Sequence, residues 1–296
     1  MLFRSTGGVT AVGFTALYAN TTGAANTAMG WRTLDANTTG GYNTAFGEES
    51  LGSNTTASYN TAVGYQALYV NTTGTVNNAV GVSALYANTT GSYNVAMGNN
   101  SLDSNTTGSY NTGIGIDALT SNTTASNNTA VGYQALYANT TGDRNTAVGG
   151  LTTLSSNTTG NYNSAFGAEA LKNNTTGSGN TALGLQSIYT NTTGGNNTSV
   201  GFQALNSNTT ASNNTAVGYQ AAYSNTTGTT NVAIGRATLF TNTTASYNTA
   251  VGDQAGYYVT GGSNTYVGFY AGVGTDRKST RLNSSHVSES RMPSSA

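Results

Sequence analysis

A glycine that follows a small residue and an apolar one returns about every 17 residues along most of this chain. It stands at Gly13, Gly30, Gly47, Gly64, Gly81, Gly98, Gly115, Gly132 and Gly149, then at Gly167, Gly184, Gly201, Gly218, Gly235, Gly252 and Gly268. One interval is 18 residues (Gly149 to Gly167) and one is 16 (Gly252 to Gly268). A fixed short period in a long chain is the mark of stacked like units, and it outranks any residue-by-residue reading.

The copy from Asn128 to Gly142 reads N-T-A-V-G-Y-Q-A-L-Y-A-N-T-T-G. Its first five residues, with an apolar centre between Asn and Gly, predict a short strand. Four residues after the glycine comes a second apolar place, usually leucine, preceded by Ala, Ser or Thr. This half reads as a second strand or a single helical turn; segments such as Ala168 to Lys172 use helix formers and favour the turn. N-T-T-G or N-T-T-A then returns the chain, with residues that turns favour.

One unit cannot bury its own apolar face, but a stack can. The expected fold is mainly β, a parallel β-solenoid or β-roll of about 16 coils with a 17-residue repeat. At about 4.8 Å per coil the rod would be on the order of 75 Å long. Like residues then form columns. The strand-leading asparagines, among them Asn60, Asn94, Asn111, Asn128, Asn145 and Asn214, are expected to form a ladder of side-chain amides. The apolar places predict a core of Val63, Val131 and Val217 with Leu68, Leu136 and Leu205. That core is thin, so copies of the rod are expected to associate around a symmetry axis, with Tyr69, Tyr86 and Tyr137 as candidate surface contacts. The competing reading leaves those tyrosines facing solvent.

Composition excludes several classes of function. Charged residues make up 6% of the chain, against roughly 25% in ordinary soluble domains. The net charge is -1, with no basic block, so nucleic acid is not an expected partner. No apolar run approaches the ~20 residues of a spanning helix, so no membrane insertion is expected in this fragment. Cysteine is absent, and the repeats hold no histidine and no recurring carboxylate pair, so no catalytic site, cofactor or metal is expected. Scattered Asp35, Asp103, Asp117, Asp143 and Asp253 do not form the G-G-x-G-x-D unit of calcium-binding β-rolls. N-T-T occurs fourteen times and matches the N-glycosylation pattern each time, yet repeated turn chemistry explains it better.

The organisation expected is a partial coil at 1–8, the repeat solenoid at 9–274 and a non-native, disordered tail at 275–296. The tail carries four of the nine Lys+Arg, the only histidine (His286) and the only proline (Pro293). Residues 276–296 closely resemble the conceptual translation of a short-read sequencing adapter. The natural protein is therefore expected to continue beyond the repeats, and the start, with the repeat running by Val9, to lack the true N-terminus.

The N-T-A-V-G-Y-Q-A-L-Y-A-N-T-T-G unit resembles the repeats of bacteriophage tail fibres, which are often found upstream of a self-cleaving intramolecular chaperone domain. It is more distantly similar to the head repeats of trimeric autotransporter adhesins of the YadA type, whose shorter unit shares the Asn-Ser/Thr-Ala-apolar-Gly strand. The resemblance covers about Thr10 to Gly272. It implies a homotrimer, a role in surface attachment with a cell-surface glycan or receptor as partner, and a place on a virion tail fibre or the cell surface. No contact residues carry over, and neither a chaperone domain nor a membrane-anchor barrel is present to separate phage from bacterium. The alternative reading is a monomeric solenoid that binds ice or a small ligand.

Overall fold

The computed structural model describes residues 7–273; the readings made for 1–6 and for the tail lie outside the described residues. Sixteen strands, β1 (Thr10–Val12) to β16 (Thr265–Val267), form one parallel sheet in strict chain order. Each strand pairs with the next copy of itself, as in Thr44↔Thr61, Ala45↔Ala62 and Phe46↔Val63. The chain is a parallel β-solenoid with a repeat of 17 residues.

Most strands are three residues long, and their burial follows the alternation that a pleated strand imposes. In Thr61–Val63 the threonine is half-buried, Ala62 is fully buried and Val63 is 38% exposed. The expectation that the valine column forms the core is therefore corrected: Val63 is exposed, and Val131 and Val217 are only half-buried. The inward column is the alanine between them. The coil is so thin that the facing wall leaves room for a methyl group there. The filling comes from the opposite side, where Leu68, Leu136 and Leu205 are fully buried.

The leucine half is neither a second strand nor a helical turn. It is a run of turns in which Gln66 (φ 53) and Leu68 (φ 54) both adopt the left-handed conformation. Ala67 N–H donates to Gly64 O at 3.4 Å within the coil. Leu68 N–H donates to Ala84 O of the next coil at 2.8 Å, and Gln66 N–H to Glu48 O of the preceding one at 3.0 Å. Bonds between coils thus hold a conformation that leucine alone would avoid. From Thr33 onward the small residue before each leucine is buried, and where it is Ser or Thr its hydroxyl is satisfied. Ser101 donates to Gly113 O at 2.9 Å, and Ser187 to Ser199 Oγ at 2.7 Å.

Ile188 occupies one leucine place at φ 49. A β-branched side chain is poorly suited to that region. Ile188→Leu conserves volume and should raise stability by about 0.5–1 kcal/mol, measured as a shift of the urea midpoint at unchanged slope; a lower midpoint would show that packing outweighs backbone preference.

The 18-residue coil keeps the stack in register by placing its extra residue outside. The strand pairing is Val131↔Val148 and then Tyr133↔Leu151, a bulge around Gly149 and Gly150. The next coil resumes with Val148↔Phe166.

Candidate interaction surface

Two asparagine columns line the interior, and the structure divides the work between them differently from the sequence expectation. The strand-leading asparagines Asn60, Asn94, Asn111, Asn128, Asn145 and Asn214 are buried. Their side chains chiefly bond backbone. Asn111 Oδ1 accepts from Asn128 N–H at 3.0 Å, and Asn111 Nδ2 donates to Ala125 O at 2.8 Å. Amide-to-amide contacts occur in this column at a few coils, such as Asn180 Nδ2 to Asn163 Oδ1 at 3.2 Å. Asn128 Nδ2 has no hydrogen-bond partner, and nothing in the structure explains it.

The continuous amide ladder belongs instead to the asparagines of N-T-T. Asn71 Nδ2 donates to Asn54 Oδ1 at 3.1 Å, Asn88 to Asn71 at 2.8 Å and Asn105 to Asn88 at 2.8 Å, and each also donates to a carbonyl three residues on. The ladder crosses the 18-residue coil, with Asn157 Nδ2 donating to Asn139 Oδ1 at 2.8 Å. From Asn37 to Asn242 these amides are buried and doubly bonded, so the glycosylation-like pattern marks an interior ladder. The first threonine of each N-T-T adds a rung: Thr38 Oγ1 donates to Thr55 O at 3.0 Å.

What the rod offers to a partner lies on the outer face of its sheet. The apolar strand position holds Met29, Phe46, Val63, Val80, Met97, Ile114, Phe166, Leu183, Ile234, Val251 and Val267, each 36–50% exposed. Two residues further along the chain a second exposed apolar column runs through Trp31, Tyr65, Val82, Ile116, Tyr133, Leu185, Phe202 and Tyr219. Apolar surface continuous over so many coils marks an interaction site rather than scattered exposure.

The candidate contacts named from sequence sit elsewhere. Tyr69 and Tyr86 are half-buried and stack on each other at 5.6 Å between centroids, and Tyr137 is 40% exposed. A further edge carries exposed stacked tyrosines, Tyr42 on Tyr59 at 4.9 Å and Tyr93 on Tyr110 at 5.0 Å. The spacing of these stacks is that of the coils.

No family model, curated protein or solved structure matches the chain. The surface must therefore be read from its own chemistry. Charge is sparse and paired between neighbouring coils: Arg32 reaches Glu49 at 2.8 Å, and Arg236 reaches Asp253 at 2.8 Å. Hydrogen bonds from Gln186 and Lys172 hold the Glu169 carboxyl below its usual range. Burial, with the charge of Asp117, pushes the Asp103 carboxyl up. Among the described residues no three His, Cys, Asp or Glu side chains come together as a metal site, and no helix is long and apolar enough to cross a membrane.

Proposed function

We propose that the chain is a structural and adhesive fibre segment of a phage tail or bacterial surface appendage. It acts as a rigid, nearly neutral spacer, assembled as a homotrimer and serving attachment to a surface glycan or receptor. The observation that carries this reading is the outer face of the sheet. Its apolar column from Met29 to Val267 is half exposed along the rod, while the interior is closed by Ala, Leu and Asn. Such a face in a rod of identical coils is best covered by the same face of further copies, in register about an axis parallel to the stack. The resemblance to tail-fibre and adhesin repeats supports the same arrangement. It is also the only support for the attachment role.

Equilibrium sedimentation tests the assembly. The expected mass is three chains. The double variant Val63→Asp and Val80→Asp should sediment as a folded single chain, because both side chains are exposed on the single rod and the packed copies exclude water from them. A wild-type protein that is a folded monomer would end the trimeric reading.

A second reading, a monomeric ice-binding rod, is favoured by one observation. Thr27, Thr44, Thr61, Thr112, Thr129 and Thr146 stand in one column on the same outer face, with register kept from coil to coil. Met29, Phe46 and Phe166 in the adjacent column break the flatness that contact with a crystal plane needs. Thermal hysteresis measured on the purified chain separates the two readings.

A further inference from the structure

The column just before the strand-leading asparagines carries an aromatic stack with one rung missing. Tyr42 lies on Tyr59 with 4.9 Å between ring centres and 4° between planes, and Tyr93 lies on Tyr110 with 5.0 Å and 2°. Between the two pairs the same place holds Val76, 36% exposed. Its side chain is shorter than a tyrosine's, so it fills the base of the gap and leaves the outer part open at ring height. Two coil steps separate Tyr59 from Tyr93, about 10 Å along the rod. Tyrosines one step apart touch through offset faces. Two steps therefore leave the thickness of one flat group between the facing rings.

Valine is an odd choice for this place. The backbone is left-handed along the column, with φ 63 at Tyr59, 59 at Val76 and 60 at Tyr93. In other coils Asn127, Gly179, Asn196 and Asn213 occupy the place, and such residues tolerate that conformation. A β-branched residue is among the least suited to it. Asparagine would relieve the backbone and tyrosine would complete the stack; valine does neither. It supplies an apolar floor between two exposed tyrosines. Backbone strain kept at an exposed place is characteristic of contact sites.

The same column displays a flat group other than a ring. Arg144 takes the tyrosine place in its coil, and its guanidinium sits over the Tyr162 ring, 5.4 Å from the centre, with Nη1 donating to the phenol oxygen at 2.8 Å. A guanidinium is planar, and the negative face of a tyrosine ring attracts it. Residues 50–98 carry no charged side chain, so the gap has no such cation from its own stretch of chain.

We propose that the gap between Tyr59 and Tyr93, floored by Val76, is a slot for one arginine side chain of a partner protein, with the guanidinium held between two ring faces. Lysine brings the same charge on an ammonium that is neither flat nor easily stripped of water, so the slot selects arginine. The slot stands at the turn into the strand, apart from the outward apolar column, and the inference does not depend on the trimer.

Saturation-transfer NMR on the full chain tests it, with the N-acetylated, C-amidated peptides Gly-Arg-Gly, Gly-Lys-Gly and Gly-Phe-Gly as probes. The arginine peptide should bind the wild type with a dissociation constant lower than that of the lysine peptide by roughly fivefold or more. V76Y restores the missing rung, and Tyr59 and Tyr93 already hold tyrosine at this φ. The variant should keep the wild-type dichroism and weaken arginine binding by roughly fivefold or more. Unchanged arginine binding in folded V76Y overturns the inference, as does equal or tighter binding of the lysine or phenylalanine peptide to the wild type. If V76Y does not fold, Y93S, which removes one wall of the slot, decides: weaker arginine binding supports the inference, and an unchanged dissociation constant overturns it.

Discussion

Gly115→Ala should destabilise the rod by at least about 3 kcal/mol, although it adds a single methyl group. Two effects act together. Gly115 has φ +131, a conformation essentially reserved for glycine. A Cβ there would also sit 2.5 Å from the carbonyl oxygen of Gly132 in the next coil. That neighbour is backbone, held by its own bonds between coils, and cannot swing aside as a side chain could. Urea unfolding followed by far-ultraviolet dichroism reads the effect. Gly150→Ala is the control, because a Cβ at Gly150 meets nothing within 4 Å. Equal midpoints for the two variants would refute the account of the glycine column.

Asn111→Asp should cost roughly 3–5 kcal/mol at neutral pH, although it changes one atom of the side chain. The retained oxygen still accepts from Asn128 N–H, but the second oxygen meets Ala125 O, where Nδ2 formerly donated at 2.8 Å. The site is fully buried, so the carboxylate is desolvated and faces an acceptor. Both effects disfavour the charged form and raise the pKa in the folded state above the unfolded value of about 3.9. The sign follows. Below about pH 4 the carboxyl is protonated in both states and its O–H can donate to Ala125 O, so the variant approaches wild-type stability. As pH rises from there the unfolded state releases its proton first, and stability falls until the folded pKa is passed. Melts of Asn111→Asp and wild type from pH 3 to pH 8 check this. Asn127→Asp, at an exposed position, should show no such gap. A gap that narrows with rising pH would contradict the assignment.

The fold was legible in the sequence because periodicity alone dictates it. The 17-residue spacing of Gly64, Gly81 and Gly98 places each coil on its predecessor whatever its internal conformation. Which side of the strand faces inward was misjudged, because hydrophobicity ranks Val63 above Ala62 as a core residue. The better signal was tolerance of volume. The inward place holds Ala28, Ala45, Ala62 and Ala79, while the outward one ranges over Met29, Phe46, Val63 and Val80. A thin core fixes size, and a surface does not.

The leucine half was misjudged because helix propensity describes an isolated segment. Here the bond from Leu68 N–H to Ala84 O, sixteen residues away, overrides it. The N-T-T ladder was also within reach. A solvent-facing turn would exchange Asn for Asp, Ser or Gly, whereas Asn20 through Asn242 keep one residue in fourteen coils. The outer face as a contact surface could be seen only once the sidedness of the strand was known.

The bulge at Gly149 and Gly150 shows how this architecture handles a change of length. Its surplus residue swells the wall, yet the interior amides of Asn139 and Asn157 remain 2.8 Å apart. The scaffold therefore has a spot where its circumference grows while the register of its coils is kept. An epitope or a fluorescent label spliced in there would ride at a defined height on the solenoid, a surveyor's mark on an otherwise uniform pole.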